Sequence, residues 1–171
     1  MLEAIKLMKD SNMELIILSD SNTVYIGIIL KAYGVSDLFT AAITNPGHFD
    51  DAGRLHIRRR VPPEEPHGCT MGCALNICKG QELSQYLSTR PPFNQIIYVG
   101  DGTNDFCPAT RLSSTDLLLP RLDKALANTL RTNPAMAREV KAEILYWRDG
   151  DTVLEIVRER VLQQAVIEKG R

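Results

Sequence analysis

Two polar clusters in this chain follow directly on short apolar runs. Glu14 to Leu18 (ELIIL) leads into Ser19-Asp20-Ser21-Asn22, and Gln95 to Val99 (QIIYV) leads into Gly100-Asp101-Gly102-Thr103-Asn104-Asp105. In open α/β sheets, ligands sit beyond the carboxyl ends of the strands, so both clusters stand where chemistry is done. Asp101 and Asp105 can converge on one side of a glycine-rich turn. Paired hard carboxylates suit Mg²⁺, which keeps several waters and takes few protein ligands. A helix starting after Ser19 would offer free N–H groups and a positive dipole end to a phosphate. Lys79, at the start of a later helix, adds a point charge. Taken singly, each feature has an ordinary reading: a helix cap for Ser19 and Asp20, a surface lysine, a solvated glycine turn, a turn residue for Asn104. Their order along the chain is the more specific signal.

The elements needed to hold these residues are legible. Met1 to Asp10 has helical spacing of apolar and charged groups. Glu14–Leu18 reads as a strand, the four polar residues after it as helix caps, and Thr23–Tyr33 as a helix stopped by Gly34. Phe39–Thr44 is a second strand ended by the turn signal Asn45-Pro46-Gly47. His48–His67 reads as a hairpin followed by an irregular loop. Gly80–Thr89 is a helix, Gln95–Val99 a third strand, Asp116–Leu119 a fourth stopped by Pro120, and Leu122–Thr132 a helix. Ala142–Tyr146 reads as a fifth strand and Thr152–Gln164 as a last helix. Strands alternating with helices predict a mostly parallel α/β sheet covered on both faces. With 171 residues, no internal repeat and no boundary signal, the expectation is a single domain.

The series of apolar strand, Ser-Asp, lysine, apolar strand and GDGTND resembles the haloacid dehalogenase superfamily. The strings ILSDSN (17–22), the HGC to NICK stretch (67–79) and YVGDGTNDFCP (98–108) are similar to its phosphoethanolamine/phosphocholine and pyridoxal phosphate phosphatase family. The similarity runs over residues 10–160. It implies a Rossmann-like core in which Ser19 and Lys79 hold a phosphoryl group and Asp101 and Asp105 hold Mg²⁺. It also places Asp20 and Asn22 near the substrate. Asn104 reads either as a turn residue or as a ligand contact. The implied activity is that of a phosphatase acting through an aspartyl-phosphate on a small phosphorylated metabolite.

One part of the family pattern has no counterpart. Family members open with a strand ending in Asp-x-Asp, whose first aspartate attacks phosphorus, followed by a helical cap. The D-x-D string here is Asp149-Gly150-Asp151, which follows no apolar strand. The expectation is a core without its first strand and cap, arising from a shortened gene product, with an unpaired sheet edge open to self-association. A noncatalytic module that binds phosphate and Mg²⁺ is the second reading.

His67, Cys69, Cys73 and Cys78 could supply four ligands to structural zinc, which gives a third reading as a small zinc protein. Their spacings are C-x3-C and C-x4-C rather than paired C-x2-C, so free or redox-sensitive thiols are expected, with Cys107 a buried small residue. Arg58, Arg59 and Arg60 read as a solvated face and Trp147 as core or rim, while His48 and His56 have no evident partner. A net charge of −1 gives no reason to expect nucleic acid or an anionic membrane as partner. No apolar run approaches the roughly 18 residues of a membrane span. The cysteine usage points to a reducing cytoplasm.

Overall fold

A computed structural model describes residues 1–169, with side chains through residue 160. Its centre is the strand β6 (Leu117–Pro120), buried at every position. Four consecutive buried residues are what a strand covered on both faces requires. Leu118 points into one core with Leu83, Tyr98, Phe106, Leu126 and Leu130. Leu117 and Leu119 point into the other, with Ala4, Met8, Trp147, Val153 and Val157. The period of two along a strand thus feeds two separate apolar layers. Each fully buried leucine there contributes about 2–3 kcal/mol.

On its flanks β6 pairs in parallel with β5 (Ile97–Gly100) and with β7 (Glu143–Ile144). The first layer is closed by α3 (Lys79–Ser88), α4 (Phe106–Ala109) and α5 (Ala125–Thr132). The second is closed by α1 (Leu2–Asp10) and α7 (Gly150–Lys169). The short helix α6 (Pro134–Glu139) starts at a proline, and the Asn133 side chain accepts from the Met136 N–H. Trp147 is core, its indole N–H donating to the Leu119 carbonyl at 2.9 Å.

A second parallel pair joins β1 (Ile16–Asn22) to β2 (Ala41–Asn45). Between them runs α2 (Thr23–Ala32), ended by Gly34 at φ 65, where a side chain would be strained. The turn expected at Asn45-Pro46-Gly47 does not reverse the chain. It leads straight into β3 (Gly47–Phe49), which forms an antiparallel hairpin with β4 (Leu55–Ile57). The hairpin stacks His48 on His56 at 5.4 Å, and His56 also meets the Asp50 carboxylate at 2.9 Å. Both histidines thus have structural partners that the sequence did not reveal.

The parallel strands fall into two separate groups. Among the described residues β1 pairs only with β2, and β5 only with β6. Both strands line a groove of about 560 Å³, with Ile16 and Leu18 from one and Ile97, Tyr98 and Val99 from the other. Leu83 and Leu87 of α3 line it too. Arg90 and Tyr86 both reach Glu14 just before β1, Arg90 at 3.2 Å, which fastens α3 to that pair. Among the described residues the facing edges of β1 and β5 are therefore not paired with each other.

Candidate active site

The ladder of β1 and β2 is regular from Ile16 to Leu18 and then shifts before resuming at Asn22 opposite Asn45. Such a bulge re-aims side chains at a strand end. It is tied down by Asn45, whose amide donates to the carbonyls of Asp20 at 2.7 Å and Ser21 at 2.8 Å. Ser19 is half-buried within the bulge, its hydroxyl accepting from the Ser21 N–H at 3.2 Å. Asp20 is exposed at the tip.

The four polar residues do not act together as a helix cap. Asn22 alone does, its Oδ1 accepting from Val24 at 3.1 Å and Tyr25 at 3.0 Å. Two donors expected to be open to a phosphate at this helix start are therefore already used. Asn22 is 3% exposed, which makes it a structural cap rather than a surface for substrate.

At the other strand end, Gly100 closes β5 and the chain turns through Thr103–Asp105 into α4. The turn folds around one carboxylate. Asp105 Oδ2 accepts from the N–H groups of Asp101 and Gly102, both at 2.9 Å. Its Oδ1 accepts from Lys79 Nζ at 2.7 Å and from the Tyr98 hydroxyl at 2.8 Å. A Cβ at Gly100 would lie 2.9 Å from the same carboxylate, so only glycine fits beside it. Lys79 and Asp105 are 8% and 4% exposed. Burial acts to raise the Asp105 pKa, but the Lys79 charge and the hydrogen bonds hold it below the ordinary aspartate value of 3.8. Burial and the neighbouring Asp105 charge push the Tyr98 hydroxyl well upward, so it stays protonated and donating.

This arrangement separates two aspartates expected to bind a cation side by side. Every acceptor direction of Asp105 points at a protein donor. Asp101 is exposed, and among the described residues no donor engages its carboxylate, though its carbonyl accepts from Leu126 at 3.0 Å. Mg²⁺ needs only one or two carboxylates besides its waters. The residues fit such an ion with Asp101 as its ligand and Asp105 organising the turn behind it.

Asn104 joins the two strand ends, donating to Asp20 Oδ2 at 2.8 Å. Beside this link lies a cavity of about 410 Å³, walled by Asp20, Gly102, Thr103 and Phe106, by Met71 and Gly72 from the loop before α3, and by Met136. Its size is in the range of small-ligand pockets. Arg60 is held away in a pair with Glu82 at 2.9 Å. The Asp149–Asp151 string lies at the start of α7, with Asp149 capping Thr152 at 3.0 Å. His67 does not join the cysteines as a ligand: its ring contacts the Ala74 carbonyl and the Cys69 N–H, both at 3.0 Å. The fourth sulfur beside Cys69, Cys73 and Cys78 is that of Cys107.

Sequence reading missed Tyr98, Gly80 and the meeting of Cys107, buried as expected, with the other three cysteines. Tyr98 looks like any strand aromatic. Gly80 matters because a Cβ there would lie 2.5 Å from Cys107 Sγ and 3.1 Å from its backbone carbonyl, so α3 can approach α4 only with glycine at that point.

Parallel strands flanked by helices, with polar clusters at the carboxyl ends of β1 and β5, define a haloacid dehalogenase-type core. A family model described as "Putative Phosphatase" matches residues 1–161, and the chain belongs to that family. "Probable phosphatase phospho1" of Danio rerio is 36% identical over 152 residues, covering 85% of this chain and 53% of the relative. "Pyridoxal phosphate phosphatase PHOSPHO2" of Rattus norvegicus is 32% identical over 151 residues, covering 86% and 61%. "Inorganic pyrophosphatase 1" of Arabidopsis thaliana is 35% identical over 155 residues, covering 88% and 51%. The chain thus spans about half to three fifths of the length of these relatives.

Proposed function

We propose that this chain is the rear half of a Mg²⁺-dependent phosphomonoesterase acting on a small phosphorylated metabolite such as pyridoxal phosphate, phosphocholine or phosphoethanolamine. The observation that carries the proposal is the buried Lys79–Asp105 pair beside the ends of two strands that do not pair with each other and that line one groove. Lys79 and Ser19 bind the phosphoryl oxygens. Asp105 fixes Lys79 and the turn that presents Asp101. When bound at Asp101, Mg²⁺ offsets the charge that develops on the phosphoryl group. Asp20, exposed at the mouth of the cavity, holds a cationic part of the substrate, and Asn104 keeps it oriented. The attacking carboxylate comes from a strand seated between β1 and β5. It forms the bond to phosphorus as the ester P–O bond breaks, and water then hydrolyses the aspartyl-phosphate.

Among the described residues no helix is long and apolar enough to cross a membrane. A cytoplasmic setting with no nucleic-acid partner is part of the proposal. When the groove holds no strand, the free edges of β1 and β5 favour self-association.

The test is phosphate release with Mg²⁺ from p-nitrophenyl phosphate, phosphocholine and pyridoxal phosphate. It is run on the chain alone and with an added apolar peptide ending in Asp-x-Asp. The chain alone should be silent. The peptide should confer turnover that both Lys79→Ala and Asp101→Ala abolish. Turnover by the chain alone, lost in both variants, would show that another carboxylate attacks. A peptide that binds without conferring turnover would favour the second reading, a noncatalytic module for phosphate and Mg²⁺.

A further inference from the structure

Four cysteines from two parts of the chain meet at one point. Cys69 and Cys73 come from the loop before α3, Cys78 is the residue that caps α3, and Cys107 lies in α4 two residues after Asp105. Their four sulfur atoms all lie within 4.8 Å of one another. Three of the pairs, Cys69–Cys73, Cys69–Cys107 and Cys78–Cys107, stand at 3.7 Å. A disulfide needs about 2.0 Å, so none of these pairs is bonded. A tetrahedron with metal–sulfur bonds of about 2.3 Å has edges of about 3.8 Å, which is the spacing of these three pairs.

We propose that Cys69, Cys73, Cys78 and Cys107 form a closed tetrathiolate site for one soft divalent ion, zinc by its chemistry, and that this ion fastens the wall of the cavity to the catalytic platform. The donor set is all sulfur, which selects zinc over magnesium or calcium. Four protein ligands leave no open position, so the ion is structural rather than catalytic. Cys78 and Cys107 are 1% and 2% exposed, which gives the site a fixed floor. Gly80 makes that floor possible, because any larger residue would push α3 away from Cys107. The surroundings support sulfur as ligand: the Gln81 N–H points to Cys78 Sγ at 3.5 Å. The loop carrying Cys69 and Cys73 is shaped by His67, whose ring spans from the Cys69 N–H to the Ala74 carbonyl, and whose own carbonyl accepts from Gln81 at 2.6 Å.

The position explains what the ion would do. Met71 and Gly72, inside the loop between Cys69 and Cys73, form part of the cavity wall. Cys78 immediately precedes Lys79, and Cys107 follows closely on Asp105. One ion therefore holds the loop, the lysine and the aspartate turn in register. Among the described residues no strand ladder ties the loop between Ile57 and Cys78 to the rest of the molecule.

The experiment is elemental analysis and zinc-edge X-ray absorption on the chain purified under reducing conditions, with cobalt substitution alongside. About one zinc per chain, surrounded by four sulfurs at about 2.3 Å, is expected. The cobalt form should show the intense thiolate charge-transfer band and tetrahedral d–d absorption. His67→Ala should keep the full metal content, while Cys69→Ser and Cys73→Ser, on the half-exposed side, should each lower it. Metal at background in the folded wild-type chain would overturn the proposal. So would a nitrogen or oxygen ligand in the wild-type shell, or a disulfide among the four in the reduced preparation. Because the wild-type spectrum decides the matter, a Cys107 variant that fails to fold does not affect the outcome.

Discussion

Replacing Asp105 by asparagine removes one charge and little else in volume. The carboxylate accepts four hydrogen bonds at 2.7–2.9 Å, two from backbone N–H groups, one from Tyr98 and one from Lys79. An asparagine oxygen can still accept from the backbone pair, but the amide then faces Tyr98 and the lysine with donors. Lys79, 8% exposed, is left without its counter-charge. Breaking a buried pair from one side costs about 3–5 kcal/mol. Lys79→Met is the milder change, because Asp105 keeps Tyr98 and both backbone donors; it should cost about 1.5–3 kcal/mol, the worth of a hydrogen bond to a charged group. The double variant Lys79→Met/Asp105→Asn should fall short of the sum by about 1–3 kcal/mol, the coupling of groups in contact. Urea unfolding measures all three, with an unchanged slope required for the comparison. An Asp105→Asn cost under about 1 kcal/mol, or strict additivity of the two changes, would refute the view that this pair is the buried keystone of the site.

The same carboxylate sets a pH dependence. Its pKa is depressed in the folded protein, so its contribution is complete above the ordinary 3.8 and is lost as pH falls through the lower folded value. The wild-type urea midpoint should therefore drop below about pH 4 by a component that Asp105→Asn lacks. Gly80→Ala would place its methyl against Cys107 Sγ and backbone; it should destabilise by about 1–3 kcal/mol in thermal melts, whereas the same change at the uncrowded Gly27 should not. Asn22→Ala removes the acceptor of two N–H groups at the start of α2 and should cost about 1 kcal/mol by urea unfolding, with Asn22→Asp restoring most of it.

Several of these features were legible from residue order alone. The alternation of apolar runs with helical spacing identified the strands and long helices, because period two and period 3.6 are properties of local backbone geometry. The placing of Ser19, Asp101 and Asp105 near strand ends, and of Lys79 at a helix start, followed from the same reading. Element ends were less legible. The β1 strand runs through Asn22 rather than stopping at Leu18, because the Asn45 side chain, 25 residues from Asp20, satisfies the carbonyls of the bulge.

What the sequence determined by itself was the class of chemistry: a polar turn after each of two apolar strands, a lysine between them, and no Asp-x-Asp behind a strand. Those are statements about residue type and order, and they need no third dimension. Tertiary structure alone decided how the roles are shared. Burial turned Asp105 into the anchor of Lys79, while Asp101 stayed exposed. It made Asn22 a cap, left a groove between β1 and β5, and brought Cys107 to Cys69, Cys73 and Cys78 in place of His67. Each of these depends on which groups meet across long stretches of chain and which are shut off from water. Spacing along the chain carries neither kind of information.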